Sequence, residues 1–310
     1  MSRPSFSLKE LAERVNGELV GDPDIVISSL ATIQNASSES ISFLSNPKYK
    51  RFISTSSASA IIISPEFSDE LQTPGIIVDD PYKAYAKISN LFRAHQNPYA
   101  NNAASFFIHE SSSVHETTII GPNVYIGPEC KVAENSIIHA NSSLVMNVEI
   151  GKHTIIHSNS VLGSDGFGYA SDKKGYIKIE QLGKLIIGDN VEIGAGCTID
   201  RGAIENTEIH DGVKLDNQVH IAHNVILGEN SAIAASCAIA GSTIIGKNLQ
   251  MGGLSGILGH LEIADDVFIG AHTLITKSIK KSGNYVGIMP AQEYRDWAKS
   301  SVFLKRRITK

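Results

Sequence analysis

The chain has 310 residues, of which 42% are hydrophobic and 19% are charged, and its formal net charge is −5. This length can bury more than one core, and the small net charge gives no global field to attract nucleic acid, which we exclude as a partner. No apolar run reaches the ~20 residues of a membrane span, and the amino-terminal stretch MSRPSFSLKEL lacks the apolar region of a signal peptide. We therefore expect a cytoplasmic protein without a transmembrane segment.

Residues 1–100 are expected to form a small α/β domain. The stretch SLKELAERVNGEL begins with a capping box of Ser7 and Glu10, which predicts a short amphipathic helix. SAIIIS and GIIVDD have the composition of short buried strands. DPYKAYAKISNLF predicts a second helix with Asp80 as its N-cap, and the stretch NPYANNAAS at 97–105 is interpreted as a linker.

From residue 108 onward a large apolar residue recurs every six positions, in runs of ten, three and twelve. A segment without the period separates the first two runs, and a four-residue slip separates the last two. The positions are Ile108, Val114, Ile120, Ile126, Val132, Ile138, Leu144, Ile150, Ile156, Leu162; Ile187, Ile193, Ile199; and Ile209, Leu215, Ile221, Leu227, Ile233, Ile239, Ile245, Met251, Ile257, Ile263, Ile269, Ile275. A period of six fits neither an α-helix nor a plain alternating strand.

This period predicts a β-solenoid whose three flat faces are about six residues wide, with the large side chains stacked inside. Three faces of six residues give coils of 18 residues, and the number of repeats then predicts about eight coils. Cys130, Cys197 and Cys237 each lie two residues before a large apolar position, where other repeats have small or β-branched residues. We therefore interpret all three cysteines as core residues, not as ligands or disulfide partners.

Two segments do not follow the repeat. Residues 163–185 contain GSDGFGYASDKKGY, which predicts an extruded loop that either reaches toward a ligand or neighbouring subunit or only decorates the surface. Residues 291–310 have apolar side chains at helical spacing and an excess of Lys and Arg, which predicts either a solvated terminal helix or a docking site for an acidic partner. The expected domains are therefore 1–100, 101–290 and 291–310.

A step of 18 residues should return to the same edge of the prism. His223 then lies next to Gly241, and a step of 36 from Asn224 reaches His260. Asp216 lies one face before His223 and could approach its imidazole within the chain or across a subunit boundary. An imidazole, a carboxylate that orients it and a glycine N–H together predict a site for acyl transfer.

A zinc site is the alternative reading of the histidines. His220, His223 and His260 would be its ligands, but strand alternation directs the first two away from each other. We therefore expect neither a metal site nor a cofactor.

Six motifs resemble a known family: FLSNPKY, GSDGFGYA, TIDRGAIENTEI, KLDNQVHIAHNV, AIAGS and GILGHLEI. Together with the hexads they are similar to the UDP-3-O-(3-hydroxyacyl)glucosamine N-acyltransferase family, over about residues 5–291. This resemblance implies a mainly β protein with a left-handed parallel β-helix, a small α/β domain before it and a C-terminal helix after it. It also implies a homotrimer and a role in lipid A biosynthesis.

The resemblance implies roles for individual residues of the repeat domain. His223 corresponds to the general base that deprotonates the C2 amine of the glucosamine, and Asp216 to the carboxylate that supports it. The N–H of Gly241 corresponds to the oxyanion donor. His260 corresponds to a second active-site histidine in contact with the substrate.

The resemblance also implies the substrates. Phe43 and Tyr49 correspond to an aromatic pair that sandwiches uracil, with Asn46 as a polar contact beside them. The acceptor is the UDP-sugar lipid UDP-3-O-(3-hydroxyacyl)-glucosamine, and the donor is a 3-hydroxyacyl thioester on acyl carrier protein. That carrier is acidic, which agrees with the basic tail of this chain.

Two other functions stay open at this point. One is the related O-acyltransferase that acts on UDP-N-acetylglucosamine, although that enzyme lacks an α/β domain before its β-helix. The other is a non-catalytic scaffold that binds a nucleotide sugar.

Overall fold

A computed structural model describes residues 4–92, 99, 105–287 and 291–299 of the chain. The chain divides into two compact units, Met1–Asn97 and Pro98–Lys310. None of the described helices is long and apolar enough to cross a membrane.

The first unit is a small α/β fold. In chain order its elements are β1 (Phe6–Ser7), α1 (Leu8–Val15), β2 (Glu18–Val20), β3 (Val26–Ile27), β4 (Ser29–Leu30), β5 (Ser40–Phe43), a 3₁₀ helix (Pro47–Phe52), β6 (Ala60–Ile63), a second 3₁₀ helix (Pro65–Glu70), β7 (Gly75–Ile77) and α2 (Pro81–Phe92). The main sheet has the order β2-β7-β6-β5-β4, with β2 antiparallel to β7 and the other neighbours parallel. Strands β1 and β3 form a separate antiparallel pair.

The predicted helices and strands of this unit are confirmed. Ser7 caps α1 in a complete capping box with Glu10. The carboxylate of Asp80 accepts a hydrogen bond from Lys83 N at 2.9 Å at the start of α2. Apolar side chains from both helices and from the sheet, Leu11 and Ile88 among them, are fully buried in one core. Each such side chain stabilises the fold by about 2 kcal/mol.

The second unit is a three-sided parallel β-helix. Face 1 comprises Phe107–Ile108, Tyr125–Ile126, Ser143–Leu144, Val161–Ser164, Thr198–Asp200, His220–Ile221, Ala238–Ile239, Gly256–Ile257 and Leu274–Ile275. Face 2 comprises Ser113–Val114, Lys131–Val132, Val148–Ile150, Leu185–Ile187, Thr207–Ile209, Ile226–Leu227, Ile244–Ile245 and Glu262–Ile263. Face 3 comprises Ile119–Ile120, Ile137–Ile138, Ile155–Ile156, Glu192–Ile193, Lys214–Leu215, Ala232–Ile233, Gln250–Met251, Val267–Ile269 and Gly283–Tyr285.

The predicted fold is confirmed, with a correction to the number of coils. Among the residues that the structure describes, the faces hold nine, eight and nine strands, so the prism approaches nine coils rather than eight. The additional strand is Gly283–Tyr285, which pairs with face 3 although it lies outside the six-residue period. Tyr285 packs against the core there, in the place of an aliphatic residue.

Successive coils are in the register that the period predicts. Ile221 pairs with Ile239, and Ile239 pairs with Ile257, each a step of 18 residues along the chain. The large apolar side chains form one continuous buried core along the prism. The three cysteines are buried and unpaired within it, as expected, and burial raises the pKa of their thiols.

The corners of the prism depend on a left-handed backbone conformation. In most repeats the third residue after the large apolar position has a positive φ, which lies between 53° and 67° in nearly all of them. Many of these residues are asparagine, such as Asn123, Asn141 and Asn224. Asparagine tolerates this conformation better than most residues because its short polar side chain bonds locally. His260 also occupies such a corner, with φ 59°.

The predicted loop at 163–185 leaves the prism between Val161–Ser164 and Leu185–Ile187. It contains an exposed antiparallel hairpin of Tyr169–Asp172 and Gly175–Lys178. Near the carboxyl end of the chain, residues 294–299 are helical, and the rest of the basic tail, 300–310, lies outside the described residues.

Candidate functional site

The edge between faces 1 and 2 brings together three of the residues that the sequence predicts. Ser242 N donates to His223 O at 3.0 Å, and His260 N donates to Gly241 O at 3.0 Å. These ladder bonds place Gly241 one coil beyond His223 and His260 one coil further, as the step of 18 residues requires.

The imidazole of His223 lies between two glycines. A Cβ on Gly241 would stand 2.9 Å from Nε2 of His223, and a Cβ on Gly166 would stand 2.6 Å from its Cβ and 2.8 Å from its Cδ2. Any side chain at either glycine would meet the ring. The two glycines therefore let backbone approach the imidazole from both sides.

Asn224 determines which nitrogen of His223 carries the proton. Its Oδ1 accepts from Ala203 N at 3.1 Å and its Nδ2 donates to Glu205 O at 2.9 Å, and these two backbone partners fix the orientation of the carboxamide. The same Oδ1 lies 2.9 Å from Nδ1 of His223. Because an amide oxygen only accepts, Nδ1 must donate, which leaves a lone pair on Nε2 in the neutral ring.

The backbone N–H of Gly241 is free, whereas at several corners on other edges a side chain caps the N–H at the same repeat position. Lys152 N, Ala195 N and Lys247 N donate to side-chain oxygens of Asp189, Asn217 and Asp265 in the next coil, at 2.7 to 2.8 Å. The residue that follows Gly241 by one coil is Gly259, which has no side chain to offer. Within the described part of the chain, Gly241 N has no hydrogen-bond acceptor.

Asp216 lies on a different edge. It follows Lys214–Leu215 of face 3, and its carboxylate accepts from Asn217 N at 2.8 Å and Ala235 N at 3.1 Å. Within the chain its carboxylate therefore caps a corner and does not orient His223. This corrects the expectation of an approach inside one chain and leaves only an approach across a subunit boundary.

A buried carboxylate that the sequence did not single out lies beside the site. Asp200 is 8% exposed, and its Oδ2 lies 3.9 Å from Nε2 of His220, whose Nδ1 is 2.8 Å from the Thr198 hydroxyl. Burial raises the pKa of Asp200 above its ordinary value, while His220 and then His223 oppose that rise. Asp200 therefore interacts electrostatically with both imidazoles.

A cavity of about 400 Å³ opens at His223. His220 and His223 are its only titratable lining residues, and most of the others are apolar and small. Phe167 of the extruded loop, 86% exposed, also lines it, so that loop does reach the site. The lining comprises Phe167, His220, Ala222, His223, Ala238, Ile239, Ala240, Gly241, Gly256, Ile257, Leu258 and Leu274.

His260 differs from the other predicted residues. Its backbone lies on the correct edge, but its side chain is exposed, and the described residues that line the cavity do not include it. In the ranges that the structure describes, no three His, Cys, Asp or Glu residues form a group that could hold a metal ion.

The first unit has its own cavity, of about 220 Å³, which brings together all three residues predicted to contact a nucleobase. Phe43, Asn46 and Tyr49 line it, and Asn46 also caps the 3₁₀ helix Pro47–Phe52 by accepting from Lys48 N at 3.0 Å. Phe43 stacks on Tyr85 of α2 with ring centroids 4.1 Å apart, which holds its ring in place.

One family model and the curated relatives agree on one family. The family model for UDP-3-O-(3-hydroxymyristoyl) glucosamine N-acyltransferase, LpxD, matches residues 24–91. Models for the GMPPB C-terminal domain and for bacterial transferase hexapeptide repeats match residues 103–166 and 206–241. The UDP-3-O-acylglucosamine N-acyltransferase of Delftia acidovorans is 42% identical over 97% of this chain and 92% of its own length.

Among solved structures, LpxA of Acinetobacter baumannii is 28% identical with a TM-score of 0.54, over 59% of this chain and 69% of its own. The UDP-N-acetylglucosamine O-acyltransferase (LpxA) of Moraxella catarrhalis is 28% identical with a TM-score of 0.51, over 56% of this chain and 66% of its own. Both are therefore similar to only part of this chain, whereas the Delftia protein is similar to nearly all of it.

Replacing Gly241 by alanine tests the geometry of the edge. The new Cβ would stand 2.9 Å from Nε2 of His223 and must displace the ring, so we expect acyl transfer to fall by about 10²-fold. Gly253→Ala is the matched control, because Gly253 has the same repeat position on another edge and its Cβ would meet only Ala235 O at 3.2 Å. Thermal unfolding and initial rates are measured for both variants, and full activity of Gly241→Ala would contradict this geometry.

Proposed function

The chain belongs to the UDP-3-O-acylglucosamine N-acyltransferase family, and we propose that it transfers the acyl chain at His223, beside the free N–H of Gly241. The proposed acceptor atom is the C2 amine of UDP-3-O-(3-hydroxyacyl)-glucosamine, and the proposed donor is a 3-hydroxyacyl thioester of acyl carrier protein. The observation that carries this proposal is the pairing of an unprotonated Nε2 with an unoccupied N–H on one edge.

We assign the proton transfer to His223. The amine attacks the thioester carbonyl, a C–N bond forms, and Nε2 accepts the proton that the amine loses. The Nδ1–H bond to Asn224 holds the ring in the required tautomer, and Asp200 stabilises the imidazolium that forms. The C–S bond then breaks, and the imidazolium returns its proton to the thiolate of the carrier.

We assign the oxyanion to Gly241. The carbonyl oxygen gains negative charge as the tetrahedral intermediate forms, and a preorganised N–H that needs no rearrangement stabilises it. One donor of this kind contributes about 10² to 10³ in rate in other acyl-transfer sites. The small, apolar cavity beside the edge suits an acyl chain, because its lining offers few polar groups to desolvate. His260, further along the same edge, is proposed to contact the acceptor.

In the first unit, we propose that Phe43 and Tyr49 sandwich the uracil of the acceptor and that Asn46 bonds its edge. The support is that all three side chains line one cavity, with Tyr49 44% exposed and available for stacking. We propose that residues 1–100 bind the nucleotide, that residues 101–290 carry out the acyl transfer, and that the basic tail 291–310 binds the acidic carrier protein.

We further propose a cytoplasmic homotrimer. The support is that the outer faces of the prism have large exposed apolar side chains, such as Ile204 and Ile244 beside Asn224. In such an assembly the edge that holds Asp216 in one chain would face the His223 edge of the next. Asp216 then acts only between chains.

The central test is His223→Ala, with His115→Ala as control. His115 is an exposed histidine of the same repeat domain, hydrogen-bonded only near its own corner, so its loss should leave activity unchanged. Loss of the general base should lower kcat by about 10² to 10⁴-fold without unfolding the chain. Mass spectrometry with UDP-3-O-acylglucosamine and acyl carrier thioesters measures the N-acylated product. Near-wild-type turnover of His223→Ala, or acylation of UDP-N-acetylglucosamine instead, would contradict the proposal.

Tyr49→Ala tests the nucleotide site. Loss of one stacking partner should raise the KM for the UDP-sugar by about tenfold while kcat and the KM for the acyl donor stay constant. Steady-state kinetics with each substrate varied in turn separates these constants. A changed kcat with an unchanged acceptor KM would argue against stacking.

Mixed oligomers test whether Asp216 acts between chains. Asp216→Asn keeps an oxygen for Ala235 N but removes the charge, and it should lower activity in the pure oligomer. Mixed trimers of His223→Ala and Asp216→Asn chains, purified through two tags, should recover about a third of wild-type activity, because cyclic symmetry leaves one intact site in each. Mixed trimers as inactive as their parents, or a fully active Asp216→Asn trimer, would refute the role.

A further inference from the structure

The extruded segment 163–185 touches the candidate site through a short stretch at its start. Gly166 packs against Cβ and Cδ2 of His223, and Phe167 lines the cavity next to it. The rest of the segment projects away as an exposed hairpin. Because the exposed hairpin contributes no buried core, other contacts must hold residues 163–167 against the prism.

Arg201 holds this stretch. The residue is 8% exposed, and its guanidinium donates from Nε to Gln181 O at 2.8 Å and from Nη1 to Gly163 O at 2.8 Å. Its Nη2 forms an ion pair with the carboxylate of Asp165. The planar guanidinium thus binds Gly163 at the start of the segment, Gln181 near its end and Asp165, the residue before Gly166. The single ammonium of a lysine cannot make these three contacts in the same geometry.

Gln181 closes the packing from the other side. It is 3% exposed, and Cβ atoms built on Gly166 and Gly168 would stand 2.9 and 2.8 Å from its carboxamide. Leu182 N and Gly183 N donate to Ala203 O and Gly202 O, at 2.7 and 3.0 Å. The backbone at Gly166 is therefore pressed between a buried side chain and the imidazole of His223.

We propose that Arg201 is a positioning residue for acyl transfer: by clamping both ends of segment 163–185 it holds Gly166 against the imidazole of His223 and directs Nε2 to the N–H of Gly241. The inference rests on the proposed role of His223 as the base. Arg201 is not among the described residues that line the cavity; it acts through the backbone that it fixes.

The segment also provides a matched control for the clamp. Lys178 forms an ion pair with the same carboxylate, Asp165, but its side chain is 43% exposed, and its other ion pair is with Glu180 rather than with Gly163 or Gln181. Lys178 and Arg201 together hold the pKa of Asp165 below its ordinary value, so this carboxylate is charged at assay pH. An exposed pair of this kind contributes little to the stability of the fold.

The test compares Arg201→Lys, Lys178→Met and Gly166→Ala in the full chain. Arg201→Lys keeps the positive charge but loses the planar guanidinium with its several N–H donors. We expect kcat to fall by about 10²-fold, because a misplacement of about 1 Å at a reacting group has this cost. The KM for the UDP-sugar should stay within about twofold, since the cavity lined by Phe43, Asn46 and Tyr49 loses no contact. Lys178→Met should leave both constants unchanged.

Gly166→Ala keeps the clamp and moves the ring directly, so it should reproduce the loss in kcat even where Arg201→Lys folds poorly. The double variant should be no slower than the slower single variant, because both changes act on the same imidazole. Hydrogen exchange at residues 163–168 should rise in Arg201→Lys and not in Gly166→Ala.

The result that overturns the inference is a wild-type kcat for folded Arg201→Lys, or a loss confined to KM. His223→Ala, assayed in parallel, separates this failure from a failure of the proposed function. If His223→Ala is active, the proposed base is wrong; if it is inactive and Arg201→Lys is fully active, only the positioning role is wrong.

Discussion

The parallel backbone ladder between successive coils is the constraint from which the rest of the second unit follows. Each coil repeats the hydrogen bonds of the one before it, so a side chain or an N–H at a given repeat position stacks on its equivalents along the prism. The buried aliphatic column fixes this register, because a slip by one residue would turn the core side chains outward. The contact between Gly241 and the ring of His223 is a direct result of this register.

The corners show how the N–H at one repeated position can be capped on some edges and left unpaired on another. At Lys152, Ala195 and Lys247, an Asp or Asn of the next coil caps the N–H at this position, and Asp216 supplies a similar cap to Ala235. On the edge of His223 the next coil has glycine there. The same backbone geometry that elsewhere stabilises a corner consequently presents an unpaired donor beside an imidazole, which is the arrangement that an oxyanion needs.

Much of this could be predicted from the sequence because the period encodes it. The aliphatic positions, the core cysteines and the stacking of Gly241 on His223 all follow from counting in steps of six and 18. Counting failed where the chain leaves the period. Gly283–Tyr285 adds a strand with an aromatic residue in the core position. Asp216 precedes His223 by one face, about 20 Å of extended chain at strand rise, so sequence proximity did not mean contact.

The residues that sequence reasoning missed share one property: each lies in one of the two interruptions of the repeat or is held by residues of one. Asn224 is held by Ala203 and Glu205 of the four-residue slip, and Asp200 and Arg201 stand at its beginning. The long segment 163–185 supplies Gly166 and Phe167. No spacing rule predicts contacts between an insertion and the coil that it folds over, since these depend on the insertion's own path.

Both interruptions act on the imidazole of His223, and each fixes a different property of it. The slip fixes the tautomer of His223 through Asn224, whereas the long segment fixes the position of its ring through Gly166. Backbone bonds from Leu182 and Gly183 to Ala203 and Gly202 join the two interruptions to each other. The regular coils alone would place an imidazole beside an amide. They would not determine which of its nitrogens carries the proton or which rotamer it adopts. The departures from the period therefore fix the tautomer and the position of a stacked histidine, and the ladder beneath them supplies the rigid reference against which they do so.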